Sequence, residues 1–549
     1  MRYRPAMSRA RSVRRHLAAG LAVATGLAGC AHRSSPRAVS APLELRVVAF
    51  NDFHGHLEPV EGADGAIGGA AYLAAHVARL RSEAEHAIVV SAGDLIGASP
   101  LVSALFQDEP TVLAMNRMGL DLNAVGNHEL DEGLDELLRV VEGGCHPDRG
   151  CFDEGGYPGA RFPFLGANTF DRRTGRAVFP PYAVRRFGGI DVAFIGLTLE
   201  RTADVLPPVV PELRFEDEAD VANRCVEALR ARGVRAFVLL LHEGGFQRSE
   251  DPNACEGLSG PVVDIVDRLD PDVDLVVSGH THRSYVCRRG ERLLTSAGSN
   301  GQLVSDIRLE LDRRTGDVVG ARAENQVVDH RLVPVEGVAE LVELYAARAA
   351  PKAQRVVARL RAALTRRRTS GGVSSLGRVI ADAQLAATRA LGAELALMNS
   401  GGIRAPVAPA PDRSGVGAVT YGMVFRAQPF QNLLVTLDLS GQRLLEVLEA
   451  QFRGSRPRFL DASSNLTYAW RADDTPHVLA ETVRVDGEPL DPRRTYRVTV
   501  NSYMAAKDPY ASGGRAAVGP LDLDALVDYL ASAPQPFAPP PLDGVQRTD

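Results

Sequence analysis

At 549 residues the chain is too long for one ordinary core, so two domains plus a targeting segment are expected. A hydrophobic share of 45% and a charged share of 24% suit a globular protein that folds in water, and no internal stretch is apolar enough for long enough to span a membrane. The net charge of -6, with both signs mixed, gives no support for a nucleic-acid partner, but leaves room for a local basic pocket that takes a small phosphorylated molecule.

The first thirty residues read as a processing signal. A basic start (Arg2, Arg4, Arg9, Arg11, Arg14, Arg15) runs into an apolar segment, Leu17 to Leu27, that ends in Leu27-Ala28-Gly29-Cys30. This resembles a bacterial lipobox, in which Cys30 is lipidated and becomes the mature N-terminus, anchoring an exported protein to the cell envelope. An ordinary signal peptide with a chance cysteine is the alternative. Ser12-Val13-Arg14-Arg15 hints at twin-arginine export. Lys352 and Lys507 are the only lysines, so arginine runs express a bias of the whole chain and carry little weight as motifs. Residues 31–44 are rich in Ser, Pro, Ala and Arg and read as a tether.

From Leu45 short β-branched runs alternate with helical stretches, the pattern of an α/β layered domain. The predicted strands are Leu45–Phe50, Ala87–Val90, Leu122–Val125, Val192–Ile195, Ala236–Leu241 and Val273–Val277. Between Val335 and Leu364 the apolar spacing is helical, with an interruption at Pro351, which predicts a linker helix or helix pair over 335–365. A second, α+β domain follows over 366–533. It has a helix near Leu376–Leu391, strands at Leu395–Met398 and Leu433–Leu437, a helix at Gln442–Gln451 and strands around Asp486-Gly487 and Tyr496–Val500. The proline-rich stretch 534–549 reads as a loose tail.

Export permits disulfides. Cys145 and Cys151 flank a turn-forming loop, His146 to Gly150, and are expected as a local pair; Cys225 with Cys255 is one further option. One cysteine is left over and connectivity stays open. None has zinc-site spacing.

Polar residues fall where the predicted strands end. Asn51-Asp52-Phe53-His54 follows the first strand, Gly93-Asp94 the second and Gly126-Asn127-His128-Glu129 the third. His242 follows Ala236–Leu241, and Gly279-His280-Thr281-His282 follows Val273–Val277. Singly, each has a structural explanation: a turn, a helix cap, a satisfied buried histidine. Five such strand ends together point to one crevice at the carboxyl rim of an open sheet. In an extended segment alternate residues point the same way, so Asp52 with His54, and His280 with His282, are expected to project together. Mixed imidazole and oxygen ligands suit zinc, manganese or iron rather than magnesium alone.

These motifs, in this order and over nearly all of the mature chain, resemble those of the bacterial 5′-nucleotidase/UDP-sugar hydrolase family of calcineurin-like metallophosphoesterases. The resemblance implies a layered β-sandwich metallophosphoesterase domain flanked by helices over 45–334, a linker helix, and a C-terminal substrate-binding domain. It implies two divalent metal ions, zinc or manganese foremost. One is held by Asp52, His54, His282 and the bridging Asp94, the other by Asp94, Asn127, His242 and His280. His128 resembles the family's catalytic histidine, and Asp131 the carboxylate that orients it. From the residues alone Asp131 is one more acid in an exposed run with Glu129, Glu132, Asp135 and Glu136. His56, His146, His330 and His477 match nothing and are expected to be structural or exposed.

The second domain carries part of the family's nucleotide site. Asn399-Ser400-Gly401-Gly402-Ile403-Arg404 ends a predicted strand. Its glycines, Gly402 among them, let backbone N–H groups approach an anion, and Arg404 can hold phosphate through two donors. A glycine turn with a solvated arginine is the alternative. Ala427-Gln428-Pro429-Phe430-Gln431-Asn432 resembles the segment that carries one aromatic of a base clamp, Phe430, and a polar contact, Asn432. Tyr503 or Tyr510 is expected to supply the second aromatic, with Asp508 reaching the ribose. Here the chain departs from the family: Ala506-Lys507-Asp508-Pro509-Tyr510 stands where a Gly-Gly-Asp-Gly-Tyr pattern is usual. Among Arg366, Arg367 and Arg368, Arg368 is taken as a phosphate ligand.

The expected activity is a 5′-nucleotidase on extracytoplasmic nucleotides, UDP-sugars included. Its partners are a nucleotide or other small phosphate ester and, through the lipid anchor only, a membrane. A 2′,3′-cyclic phosphodiesterase/3′-nucleotidase, a thiosulfohydrolase relative and a non-catalytic ligand-binding lipoprotein are the alternatives.

Overall fold

The computed structural model describes residues 41–549 apart from 63–64, 203–209, 431, 454–456, 474, 506, 508 and 511–513. Cys30 and Asp508 therefore lie outside the described residues. No described helix is long and apolar enough to cross a membrane.

The first half is built on two six-stranded sheets stacked face to face. One runs Val318–Val327, Leu303–Leu311, Leu43–Phe50, Ala87–Ser91, Leu122–Ala124, Phe164–Leu165. The other runs Ser284–Arg289, Arg292–Ala297, Val273–Ser278, Ala236–Leu241, Ile190–Leu197, Tyr182–Phe187. The central strands are buried on both faces, which is why they read as continuous apolar runs. Along Leu43–Phe50, Val47 and Ala49 face the inter-sheet core with Val90, Phe194, Val238 and Leu275. Val48 and Phe50 turn to the other side, onto helices Ala70–Ser82, Glu109–Met118 and Glu336–Ala353. The outer face of the second sheet is covered by Glu218–Arg230 and Pro261–Arg268. The rim is thus shared by two sheets, where the sequence suggested one open sheet. Leu43–Phe50, Ala87–Ser91 and Leu122–Ala124 are parallel in the first, and Ala236–Leu241 and Val273–Ser278 in the second.

The second half is α+β. A five-stranded sheet, Leu460–Ala462, Leu395–Asn399, Thr495–Asn501, Leu433–Ser440, Gly514–Leu521, carries helices Ser375–Thr388 and Asp522–Ser532 on one face. Leu395, Leu397, Val435, Leu437 and Val498 meet Leu444, Val447 and Trp470 in a separate core. The helix Ser375–Thr388 starts where Ser374 Oγ accepts the Gly377 N–H, a side-chain N-cap.

Three expectations are corrected. Of the helix or helix pair expected over 335–365, the linker holds the single helix, which ends at Ala353. Pro351 removes an amide donor in the last turn of Glu336–Ala353, and the β-branched pair Val356, Val357 then continues as strand Val356–Leu360, paired with Gly417–Thr420. The tail 534–549 is not loose: Phe537 is buried, and Val545–Arg547 adds a parallel strand to Leu466–Trp470. Prolines lie between these anchors without displacing them. Cysteine pairing also differs, because Cys255 bonds Cys287 and Cys225 stays a free thiol, while Cys145 and Cys151 are bonded as expected.

Ending the chain at Gln535 should therefore cost about 2–5 kcal/mol, the scale for losing buried Phe and Val side chains. Urea unfolding of the shortened protein measures it, and an unchanged midpoint would mean that the tail contributes nothing.

Candidate active site

At the shared rim the seven polar residues come together. Asp52, His54 and His282 place one ligand atom each within 4.8 Å of one another, as do Asp94, His242 and His280. Asp94 touches both groups, with its Oδ2 3.0 Å from His242 Nε2 and 3.6 Å from His54 Nε2. Asn127 Oδ1 lies 3.2 Å from His242 Nε2 and 2.9 Å from His280 Nδ1.

The expected reason for the paired projections is corrected. Asp52 (φ 50°), His54 (47°), His280 (71°) and His282 (55°) are not extended, and neither is Asp94 (53°); all five are left-handed. Only a few residue types adopt this region, and at a cost of order 1 kcal/mol each. Asp52 and His54 still serve one ligand group, whereas His282 joins that group and His280 the other.

Backbone and side-chain groups hold these turns. Asn51 donates to Asp52 Oδ2 (2.6 Å) and to Gly298 O (2.7 Å) and accepts from the Ala297 N–H (2.8 Å). The His280 N–H donates to both Asp52 oxygens, each at 3.0 Å, and the His128 N–H to Asp94 Oδ1 at 2.9 Å. His54 Nδ1 donates to Gly97 O (2.9 Å) and His242 Nδ1 to Ala92 O (2.8 Å), which turns each Nε2 to the centre. Glu129 was grouped with exposed acids, yet it is 3% exposed. It accepts from the backbone N–H groups of Asp94 (2.9 Å), Leu95 (2.8 Å) and Gly126 (2.7 Å), tying the second and third strand ends together. A side chain on Gly126 would collide with Asp94 and Glu129. The run of acids on either side hid Glu129; its place directly after a strand end was the available signal.

This donor set fits divalent cations. Asp94 Oδ2 is buried without a hydrogen-bond partner. His54 Nε2 and His282 Nε2 stand 3.0 Å apart, an arrangement that needs a proton or a cation between two lone pairs. Burial pushes the Asp52 carboxyl up to about 7. Burial opposes charge on His242, but Asp94, Asp52 and Glu129 outweigh it and lift the ring to about 10. Burial holds His280 near 4 and, with Arg404, His282 near 3, so both rings are neutral donors. Such a cluster attracts positive charge strongly.

His128 stands beside this centre, its Nδ1 2.9 Å from Asp131 Oδ2, which also accepts the Ala98 N–H (3.1 Å). Burial works against a charged His128, but Asp131 and Asp94 raise its pKa on balance. Its ring stacks on Phe430 of the second half, with centroids 5.6 Å apart and 18° between planes. Arg404 also meets Phe430, its Cζ 5.5 Å from the ring centroid. A cavity of about 770 Å³ opens here between the two halves. Asp94, Asn127, His128, His280 and His282 line one wall, and Asn399, Gly402, Arg404, Phe430, Asn432 and Tyr503 the other.

Two expected substrate contacts are corrected. Arg368 is taken by the fully buried Asp461, with Nη2 2.8 Å from Oδ2, and does not line the cavity. Tyr510 is packed in the C-terminal core, which leaves Tyr503 as the cavity tyrosine. Arg149, Glu132, Thr281 and Ser502 line the cavity without having been singled out in the sequence. Of the unmatched histidines, His56 is held by the His54 carbonyl (2.9 Å), His330 stacks on Tyr72 and His477 pairs with Glu449. His146 braces its own loop, its Nδ1 accepting the Asp148 N–H at 3.1 Å.

Glu129→Ala should strand three backbone donors, lower stability by about 3 kcal/mol or more and reduce bound metal. Thermal unfolding and metal analysis of the purified variant check this; wild-type values in both would remove Glu129 from its organising role.

Comparison with known proteins places this geometry. Residues 45–284 match the family described as Calcineurin-like phosphoesterase, and residues 353–511 match 5′-nucleotidase, C-terminal domain. "Cell wall protein Lmo0130" of Listeria monocytogenes is 30% identical over 94% of this chain and 70% of its own length. "Endonuclease YhcR" of Bacillus subtilis is 33% identical over 91% of this chain, which spans only 41% of that protein. A crystal structure of a 5′-nucleotidase precursor from Thermus thermophilus superposes with a TM-score of 0.73 at 28% identity, covering 92% of this chain and 99% of that one.

Proposed function

The chain belongs to the calcineurin-like phosphoesterases that carry a 5′-nucleotidase C-terminal domain, and from that membership we propose that it removes phosphate from nucleotides with the help of two divalent metal ions. The observation that carries the reading is the single cavity in which two ligand groups, joined through Asp94, face Arg404 and Phe430. One ion would sit with Asp52, His54, His282 and Asp94, the other with Asp94, Asn127, His242 and His280. Zinc or manganese suits this mixture of imidazole and oxygen donors. When bound, such ions supply Lewis acidity that neutralises phosphoryl oxygens and acidifies water.

The remaining steps belong to the chain's own residues. Arg404 offers a planar pair of donors to the phosphoryl oxygens, and the backbone N–H groups around Gly402 approach the same anion. Phe430 and Tyr503 give the base two aromatic faces, and Asn432 gives it a polar neighbour. His128, oriented by Asp131, directs its other ring nitrogen to the cavity. There it stabilises the charge that builds on the phosphate and passes a proton to the departing ribose oxygen. Aromatic walls on the far side favour a nucleotide over a thiosulfonate on a carrier protein. Two ligand groups beside an oriented His128 favour turnover over mere ligand storage.

Export and lipidation at Cys30 complete the proposal. They are supported by the basic and apolar start that leads to Leu27-Ala28-Gly29-Cys30, and by two disulfides, which persist in oxidising compartments.

Purified protein stripped with a chelator should release no phosphate from AMP and regain activity with manganese or zinc; a metal-reloaded protein inert on AMP and on an aryl phosphate sinks the proposal. His128→Ala should keep its metals and lose roughly 10²-fold or more in kcat. Loss of metal along with activity would make it a ligand instead. Phe430→Ala should lower kcat/KM for AMP about tenfold more than for an aryl phosphate, since stacking contributes roughly 1–3 kcal/mol. Equal losses on both would place the base elsewhere.

A further inference from the structure

One cationic side chain of the cavity has no part in the reading above. Arg149 lines the wall contributed by the first half, next to Glu132, on a loop closed by the Cys145–Cys151 disulfide. The loop is braced a second time inside that bond. His146 and Gly150 exchange backbone hydrogen bonds of 3.1 and 2.9 Å, and the His146 ring accepts the N–H groups of Asp148 (3.1 Å) and Arg149 (3.2 Å). Its base is fixed too: the Gly144 carbonyl accepts from Arg139 at 2.7 Å, and Asp153 is gripped by Arg348 (2.6 Å) and Tyr345 (2.5 Å) of the linker helix. A surface arginine is usually neutralised by a nearby acid or left in water. Among the described residues Arg149 joins no ion pair; its charge acts on the exposed Glu132 only at longer range. A stiff loop of this kind lowers the conformational cost of holding a guanidinium at the cavity mouth.

The cavity, at about 770 Å³, lies in the upper part of the range for small-ligand sites and reaches from Arg404 and the ligand groups to Arg149, while the proposed reading gives Arg404 the phosphoryl group at the centre. We propose that Arg149 is a specificity residue that binds a second phosphoryl group of the substrate, so that the site prefers nucleoside diphosphates to monophosphates. This rests on the phosphoesterase reading of the same cavity. Arg149 is a positioning and selecting group: it makes no bond to the reacting atoms, and the charge it meets is one that a monophosphate lacks. A guanidinium and a phosphoryl group match through two parallel donors, which a lysine ammonium does not reproduce.

The test compares binding of a 5′-phosphonate analogue of AMP, which cannot be hydrolysed, with binding of a methylene-bridged, non-hydrolysable ADP analogue to the metal-loaded full protein, by calorimetry. Arg149→Ala should reduce the ratio of diphosphate-analogue to monophosphate-analogue affinity about tenfold, and Arg149→Glu should reduce it further. Arg149→Lys should restore it in part. Arg149 is exposed, so these variants should fold, and turnover of an aryl phosphate reports on the catalytic centre independently. A ratio that is unchanged in Arg149→Ala and Arg149→Glu overturns the assignment. So does an equal fall in both affinities, which would make Arg149 a general electrostatic contributor. Failure of wild-type protein to cleave any phosphate ester would instead strike the catalytic reading, because the binding ratio is measured without turnover.

Discussion

The structure depends on burying three carboxylates within a few ångströms of one another. Asp52, Asp94 and Glu129 are all 3% exposed or less, and none can keep its charge there without donors or cations. Glu129 is answered by three backbone N–H groups, and Asp52 by Asn51 and the His280 N–H. Asp94 is only half answered: His128 N–H meets one oxygen, and the other lies among imidazoles. The fold therefore supplies a rigid, anionic frame around one unsatisfied atom, and the free energy of filling it with cations adds to the free energy of folding.

Two stacked sheets make that frame possible. Strand ends from the first bring Asp52, Asp94 and Asn127, and strand ends from the second bring His242, His280 and His282. A single sheet would spread the same residues along a line, whereas two facing edges enclose them. The second half contributes none of these groups. It presents Phe430 and Arg404 across the cavity, and the stacking of Phe430 on His128 ties the residue that meets the base to a residue at the reacting end.

Much of this was legible in the sequence, because buried strands impose long apolar runs and the polar residues that end them stand out. The strands Ala236–Leu241 and Leu395–Asn399 could be read directly. What escaped was set by tertiary contacts that leave no local trace. Val356–Leu360 became a strand because Gly417–Thr420 was there to pair with it. Arg368 looked like an anion ligand until Asp461, 93 residues away, was found beside it. Glu129 and Arg149 were masked by composition, one among acids and the other among arginines. Phe537 and Val545 were masked by the prolines between them.

The left-handed backbone at Asp52, His54, Asp94, His280 and His282 narrows the alphabet open to this site over evolutionary time. Cation chemistry alone would admit glutamate and cysteine at such positions. Steric strain in this region falls most lightly on glycine, which has no donor, and next on asparagine, aspartate and histidine. The overlap of the two requirements is asparagine, aspartate and histidine, and the five left-handed positions carry the last two. Drift at the left-handed positions is thus confined to exchanges among amide, carboxylate and imidazole, each of which changes the charge or hardness of the centre while leaving the turn intact.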